Sequence, residues 1–229
     1  MTTIALNLQA THQRIERAAQ RYGRRASEIM LLAVSKTFPA SYIEEAVNAG
    51  QRAFGESYAQ EAVNKITALA HLGLDWHFIG PVQSNKTRLI AEHFGWVHGI
   101  DREKIAVRLN DARPPGLGPL DVCIQVNVSG EGSKSGVAPG EEKRLAATIA
   151  GLPRLRLRGL MAIPEPTPDA DLQRSRYARL REIKDALAAS GHALDTLSMG
   201  MSGDLEAAIA EGATIVRVGT AIFGSRETL

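Results

Sequence analysis

Eight times along this chain a short apolar run gives way to a longer stretch of helical period, and that alternation constrains the fold more than any other feature. The runs occupy 29–35, 52–55, 75–79, 96–100, 120–128, 155–163, 196–199 and 213–218. Between them lie stretches rich in Ala, Leu, Glu, Lys and Arg, among them 41–49, 59–70, 85–93, 141–150, 171–190 and 204–210, which read as helices. Strands joined through helices lie parallel in one sheet. Eight such units favour a closed (βα)8 barrel of the TIM type, because a doubly wound open sheet would more often show fewer strands and a crevice where strand order reverses. The length agrees: 229 residues is close to the roughly 250 typical of one barrel. An amphipathic stretch over 4–22 reads as an extra N-terminal helix, expected to cover the bottom of the barrel. No Pro- or Ser-rich linker divides the chain, and the one Pro/Gly cluster, 114–119, is a short connection before the fifth strand. Residues 1–229 are therefore expected to form a single domain.

Composition removes several classes of function. Lys plus Arg is 27 against 25 for Asp plus Glu, a formal net charge of +2, without the basic excess of a nucleic-acid or anionic-membrane binder. The one cysteine, Cys123, has no internal partner for a disulfide, and no basic residue precedes the apolar positions of 1–10, so no secretory signal is read and a cytoplasmic location is expected. The longest strongly apolar run, 29–34, is far shorter than the roughly 18 residues needed to cross a bilayer. The histidines form no i, i+4 pair and have no cysteine cluster beside them, so no metal site is expected. The stretch 130–136 approaches two nucleotide-binding patterns and misses both. Ser133 stands where a phosphate loop needs Gly before Lys-Ser, and Ser135 where a dinucleotide fingerprint needs Gly.

In a barrel the chemistry sits where strands end and βα loops begin. Lys36 closes the first run, Leu-Leu-Ala-Val-Ser-Lys-Thr, and places an ammonium at the mouth. Its ordinary reading is a solvated strand-end lysine; its sharper one is a Schiff-base lysine, since partial burial frees the amine lone pair for an aldehyde. After the seventh run, Met199-Gly200-Met201-Ser202-Gly203-Asp204 forms a turn of small residues opening a helix, so Ser202 and the following amides face the strand ends as an anion cradle, unless Ser202 is simply an N-cap. After the eighth run, Gly219 admits close backbone approach and Thr220 offers an amide and a hydroxyl, unless Gly219 marks an ordinary turn. Loops after strands seven and eight bind phosphate in many barrels. Arg217 lies on the same strand face as Gly219 and Ile215 and needs a partner, either a carboxylate such as Glu56 or Asp75 or a planar ligand nitrogen.

These segments carry a resemblance. Ala-Val-Ser-Lys-Thr around Lys36, Phe54-Gly55-Glu56-Ser57-Tyr58, the block Trp-His-Phe-Ile-Gly-Pro-Val-Gln-Ser-Asn-Lys at 76–86, Lys134-Ser135-Gly136, Gly159-Leu160-Met161, Ser198-Met199-Gly200-Met201-Ser202 and Arg217-Val218-Gly219-Thr220 are similar to the pyridoxal 5′-phosphate homeostasis protein family, over about 29–224. Ser57 stands where that family usually has Asn. The resemblance implies a barrel like the N-terminal domain of alanine racemase, and pyridoxal 5′-phosphate held as a Schiff base on Lys36. It further implies that Ser202, Gly219 and Thr220 hold the phosphate and that Arg217 faces the pyridine nitrogen. As a permanent donor, Arg217 would keep that nitrogen unprotonated and the cofactor a weak electron sink.

The expected function is intracellular buffering and carriage of pyridoxal phosphate without robust catalytic turnover, for apo enzymes that use it, by a protein expected to be a monomer. The rival is a racemase of the alanine racemase type, which needs a base on each face of the substrate α-carbon. Lys36 could be one; the opposing tyrosine of such enzymes comes from a second domain, which is not expected in a chain ending at Leu229. Tyr58 and His77 are the candidate substitutes. Lys134, in the Gly/Ser-rich segment 129–136 after the fifth strand, is expected on a loop at the same mouth, either as a solvated charge or as a transient acceptor of the aldehyde.

Overall fold

In β1 (Met30–Val34) every residue after Met30 is buried, and alternate side chains serve two cores: Leu31 and Ala33 pack outward, Leu32 and Val34 inward. Burial on both faces is what a parallel strand covered by helices requires. The computed structural model describes residues 2–130 and 135–225. From β1 the chain passes through α2 (Ala40–Asn48), β2 (Ala53–Glu56), α3 (Ala59–Ala68), β3 (Asp75–Phe78), α4 (Thr87–His93), β4 (Trp96–Ile100) and α5 (Glu103–Ala112). It continues through β5 (Leu120–Gln125), α6 (Glu142–Ala150), β6 (Leu155–Met161), α7 (Ala170–Ala189), β7 (Thr196–Ser198), α8 (Leu205–Ala210), β8 (Ile215–Val218) and α9 (Thr220–Phe223). All strand pairs are parallel and β8 pairs with β1, Arg217 opposite Leu32, so the sheet closes in the order β1 to β8. The closed (βα)8 barrel expected from the eight runs is the observed fold.

Where the expected strands run long, burial is the reason. Val126 and Val128 stay buried beyond Gln125, where β5 ends, so the apolar run outlasts the strand. The N-terminal helix lies elsewhere than expected. α1 (Thr3–Arg21) buries Ile4, Leu8, Thr11, Ile15, Ala18 and Ala19, a stripe of helical period, against α8, α9 and α2. α9 has a single turn, too short to flank β8, and α1 fills that place in the outer ring. It runs from the mouth, where the Asn7 side-chain amide donates to the Ile222 carbonyl (2.9 Å), to the opposite end, where Arg24 donates to the carbonyls of Ile209 and Ala213 (3.0 and 2.7 Å). The opposite end of the barrel instead carries a charge network at the starts of β5, β6 and β7. Asp121 pairs with Arg156 and Arg158, and Arg158 also pairs with Asp195 (2.6 Å) and lies 4.8 Å over the Trp96 ring.

The barrel interior is divided. Leu32, Val34, Ala53, Ile79 and Ile215 form an apolar cluster on one side. On the other, buried polar groups are joined in a line: Arg217 to Ser198 (2.7 Å), Ser198 to His98 (2.8 Å) and His98 to His77 (3.0 Å). Because a guanidinium only donates, the Ser198 oxygen accepts from it, which leaves the hydroxyl proton for His98.

Candidate functional site

Lys36, Ser202, Arg217, Gly219 and Thr220 meet at one cavity of about 240 Å³ at the C-terminal ends of the strands. Lys36 reaches it because β1 ends two residues earlier, at Val34, and the chain turns sharply at Thr37. Thr37 has φ of 71°, the only non-glycine in the left-handed region among the described residues. Lys36 itself is half-buried. Beside it, a Cβ on Gly219 would stand 3.1 Å from the Val34 carbonyl oxygen and 3.3 Å from the Val34 Cβ. The glycine therefore lets the end of β8 close against β1, which brings Thr220 to the cavity wall.

Arg217 is 3% exposed, and its two terminal nitrogens donate to the Ser198 hydroxyl and to the Ala162 carbonyl (2.8 Å), both uncharged. Neither carboxylate considered from the sequence reaches it. Glu56 pairs with Lys65 (2.9 Å), and Asp75 is exposed at the start of β3. Arg217 makes no ion pair among the described residues. Burial pulls its pKa below the ordinary arginine value, with Tyr177 and Asp204 opposing that shift, yet a guanidinium has ample margin to stay protonated at neutral pH.

The loop after β7 is shaped by its own braces. Gly200 has φ of 92°, and a Cβ there would lie 2.5 Å from that of Ala208. Asp204 accepts from the Met201 amide (2.6 Å) and from the hydroxyl of the fully buried Tyr177 on α7 (2.8 Å). Arg14 of α1 donates to the Ser202 carbonyl (3.1 Å) and pairs with Glu206 (2.9 Å). Asp204, not Ser202, occupies the position before α8, so Ser202 is not that helix's N-cap. The amides of Ser202 and Gly203 have no acceptor among the described residues.

Val34, Ile79, Ile163 and Met201 complete the lining, and Ser57 adds a hydroxyl. Two cationic side chains face this space and none of the described lining residues is acidic. With amides open beside them, the arrangement suits an anion that also carries a planar apolar body. The alanine racemase N-terminal domain model matches residues 6–227. A Pseudomonas aeruginosa protein named pyridoxal phosphate homeostasis protein is 60% identical over 227 residues, 99% of this chain and 97% of that one.

The chain belongs to the pyridoxal phosphate homeostasis protein family. Among solved structures, PipY of Synechococcus elongatus with pyridoxal phosphate bound matches at TM-score 0.80 and 36% identity, over 92% of this chain and 99% of that one. Alanine racemase from Corynebacterium glutamicum, 18% identical with a TM-score of 0.68 over 99% of this chain and 62% of its own, shares the barrel fold. In this homeostasis-family barrel the other groups weighed from the sequence lie away from the cavity. His77 is buried against His98 and Trp96, and burial lowers its pKa to about 3. Tyr58 is 53% exposed ahead of α3. Cys123 is buried and its thiol pKa is pushed up, so it is unreactive. No group of His, Cys, Asp or Glu among the described residues could hold a metal, and no helix among them is long and apolar enough to cross a membrane. Lys134 lies outside the described residues.

Sequence reasoning missed Ser198 and Ala162 as the partners of Arg217, and Tyr177, Asp204 and Arg14 as braces of the loop after β7. A signal existed for Asp204, an Asp three residues after Met201 and just before a helix. None existed for Tyr177 or Arg14, which arrive from distant helices.

Proposed function

We propose that this chain binds pyridoxal 5′-phosphate in the mouth cavity, covalently at Lys36, and serves as a carrier and buffer of that cofactor rather than as an enzyme. The observation that carries the reading is Arg217, a buried cation without a counter-ion among the described residues, facing the same acid-free cavity as Lys36. The residues present fit the group. Ser202, Gly203, Gly219 and Thr220 would hold its phosphate, Arg217 would donate to its ring nitrogen, and Lys36 would hold its aldehyde carbon. When bound, the group supplies an aldehyde, which a primary amine converts to a Schiff base with loss of one water. The name of the Pseudomonas aeruginosa relative and the PipY structure with pyridoxal phosphate support the same reading.

The non-enzymatic part rests on the site's own groups. Arg217 only donates, so it leaves the ring nitrogen unprotonated and supports carbanion chemistry poorly. A racemase also needs a second base across from Lys36. His77 is sequestered with its pKa near 3, and Tyr58 points into solvent at 53% exposure. Two measurements test the proposal. Loaded protein mixed with an apo enzyme that uses pyridoxal phosphate should restore that enzyme's activity. Chiral chromatography after incubation with L- and D-alanine should show no turnover near the ~10 per second of a median enzyme. Robust racemisation by the pure protein would overturn the carrier reading in favour of the racemase.

A further inference from the structure

The turn that presents Lys36 is gripped from both sides by one ion cluster. The buried ammonium of Lys65, on α3, donates to the Ser35 carbonyl (2.9 Å), to Glu56 Oε1 (2.9 Å) and to Glu61 Oε1 (2.6 Å), which uses all three of its protons. The Ser35 hydroxyl also donates to Glu56 Oε1 (2.7 Å). On the other side of Lys36, the Thr37 amide donates to Glu61 Oε1 (2.7 Å). The residues before and after Lys36 are thus tied to the same helix through one lysine and two carboxylates. Glu56 is fully buried, and its second oxygen is the one buried side-chain polar atom without a partner among the described residues.

This expenditure of buried charge coincides with backbone strain. Thr37 is β-branched and sits at φ of 71°, where its side chain crowds the main chain. Such a conformation persists only where the surroundings over-determine it. Relaxed to an extended or helical geometry, the turn would carry Lys36 away from the wall formed by Val34 and Thr220.

We propose that Glu61 and Lys65 are positioning residues for Lys36: they hold the strained Thr37 turn so that the Lys36 amine stands over the cavity. The proposal rests on the reading that Lys36 is the anchoring amine. It also separates the two lysines. Lys65 has every proton donated to an oxygen between two carboxyl groups, and Lys36 is the amine presented for chemistry. The step affected is condensation of the Lys36 amine with an aldehyde. The nitrogen gains the carbon and gives up two hydrogens, which leave with the aldehyde oxygen as water.

The test separates the turn from the phosphate cradle with two probes. Pyridoxal phosphate reads both, through the visible absorption of its Schiff base. Pyridoxine phosphate, which carries an alcohol in place of the aldehyde, reads the cradle alone by calorimetry. Glu61→Ala should weaken or slow Schiff-base formation about tenfold and leave pyridoxine phosphate affinity within twofold. Glu61→Gln keeps an acceptor for the Thr37 amide and should recover most of the loss. Thr37→Asn, which tolerates the left-handed region, should restore Schiff-base formation in the Glu61→Ala background. A Glu61→Ala variant that matches the parent with pyridoxal phosphate overturns the proposal, as does one that loses both probes in proportion or gains nothing from Thr37→Asn. Lys36→Ala is the control. If it keeps the parent's absorption, the assignment of Lys36 itself fails, independently of the clamp.

Discussion

Arg217 is the residue on which the site turns. A guanidinium in the barrel interior would ordinarily be matched by a carboxylate, and here it is met by a hydroxyl and a carbonyl, with its remaining donor capacity left for the cavity. Ser202 provides the complementary contact, a neutral hydroxyl beside open amides. If Ser202 holds the phosphate as proposed, replacing it with Ala would remove one charge-assisted hydrogen bond, worth about 1.5–3 kcal/mol. Calorimetry with pyridoxine phosphate should therefore show a loss of tenfold or more in affinity; unchanged affinity would move the phosphate out of the 201–204 loop. Lys36, Ser202, Arg217, Gly219 and Thr220 were legible in the sequence as candidates because each lies within three residues of the end of an apolar run, and a barrel brings such positions to one rim. The partners of Arg217 were not legible. Ser198 ends β7 and Ala162 directly follows β6, and only the closed register of β6, β7 and β8 sets them beside it.

At the scale of elements, the loop after β7 is held by helices that contribute no lining residue. Tyr177 of α7 and Arg14 of α1 reach it from opposite sides of α8. Burial and the adjacent Asp204 push the Tyr177 pKa up, so its hydroxyl keeps its proton and donates throughout the physiological range. Tyr177→Phe keeps the packing, leaves one Asp204 oxygen without its donor, and should cost about 1–2 kcal/mol of stability. For a chain of this size that is a fall in Tm of roughly 2–8 °C. The same variant should weaken pyridoxine phosphate binding, because Asp204 also positions the Met201 amide; a variant with lowered Tm and parental affinity would separate the brace from the cradle. The strands were predictable from apolar runs, and most helices from their period. The placement of α1 was not, because its apolar stripe states that one face is buried without stating against what. The short α9 decides that, since it leaves β8 uncovered.

For the whole molecule, the divided interior has a pH consequence. His77 and His98 are buried as neutral rings. Burial lowers the pKa of both, His77 to about 3, and for His98 the charges of His77 and Arg217 add to the effect. Unfolded, each would take up a proton near pH 6.5. The folded state therefore binds fewer protons, so its stability is full above about pH 6.5 and falls as pH drops through that value toward the folded pKa. Each ring contributes a slope approaching ~1.4 kcal/mol per pH unit. Glu56, raised by desolvation despite its Lys65 and Ser35 partners, acts in the opposite direction. Its folded state binds the proton more tightly, so acidification from the raised folded pKa to the ordinary glutamate value recovers stability. Denaturant titrations from pH 8 to 5 should show stability falling from about pH 6.5, and a flat profile would contradict the neutral histidine pair. The barrel's stability and the mouth cavity thus share one polar line ending at Arg217. The central claim, that Lys36 anchors pyridoxal phosphate in that site, is tested most directly by borohydride reduction of the loaded protein followed by peptide mapping. The account predicts the pyridoxyl group on Lys36; finding it on another lysine alone, or on none, would contradict it.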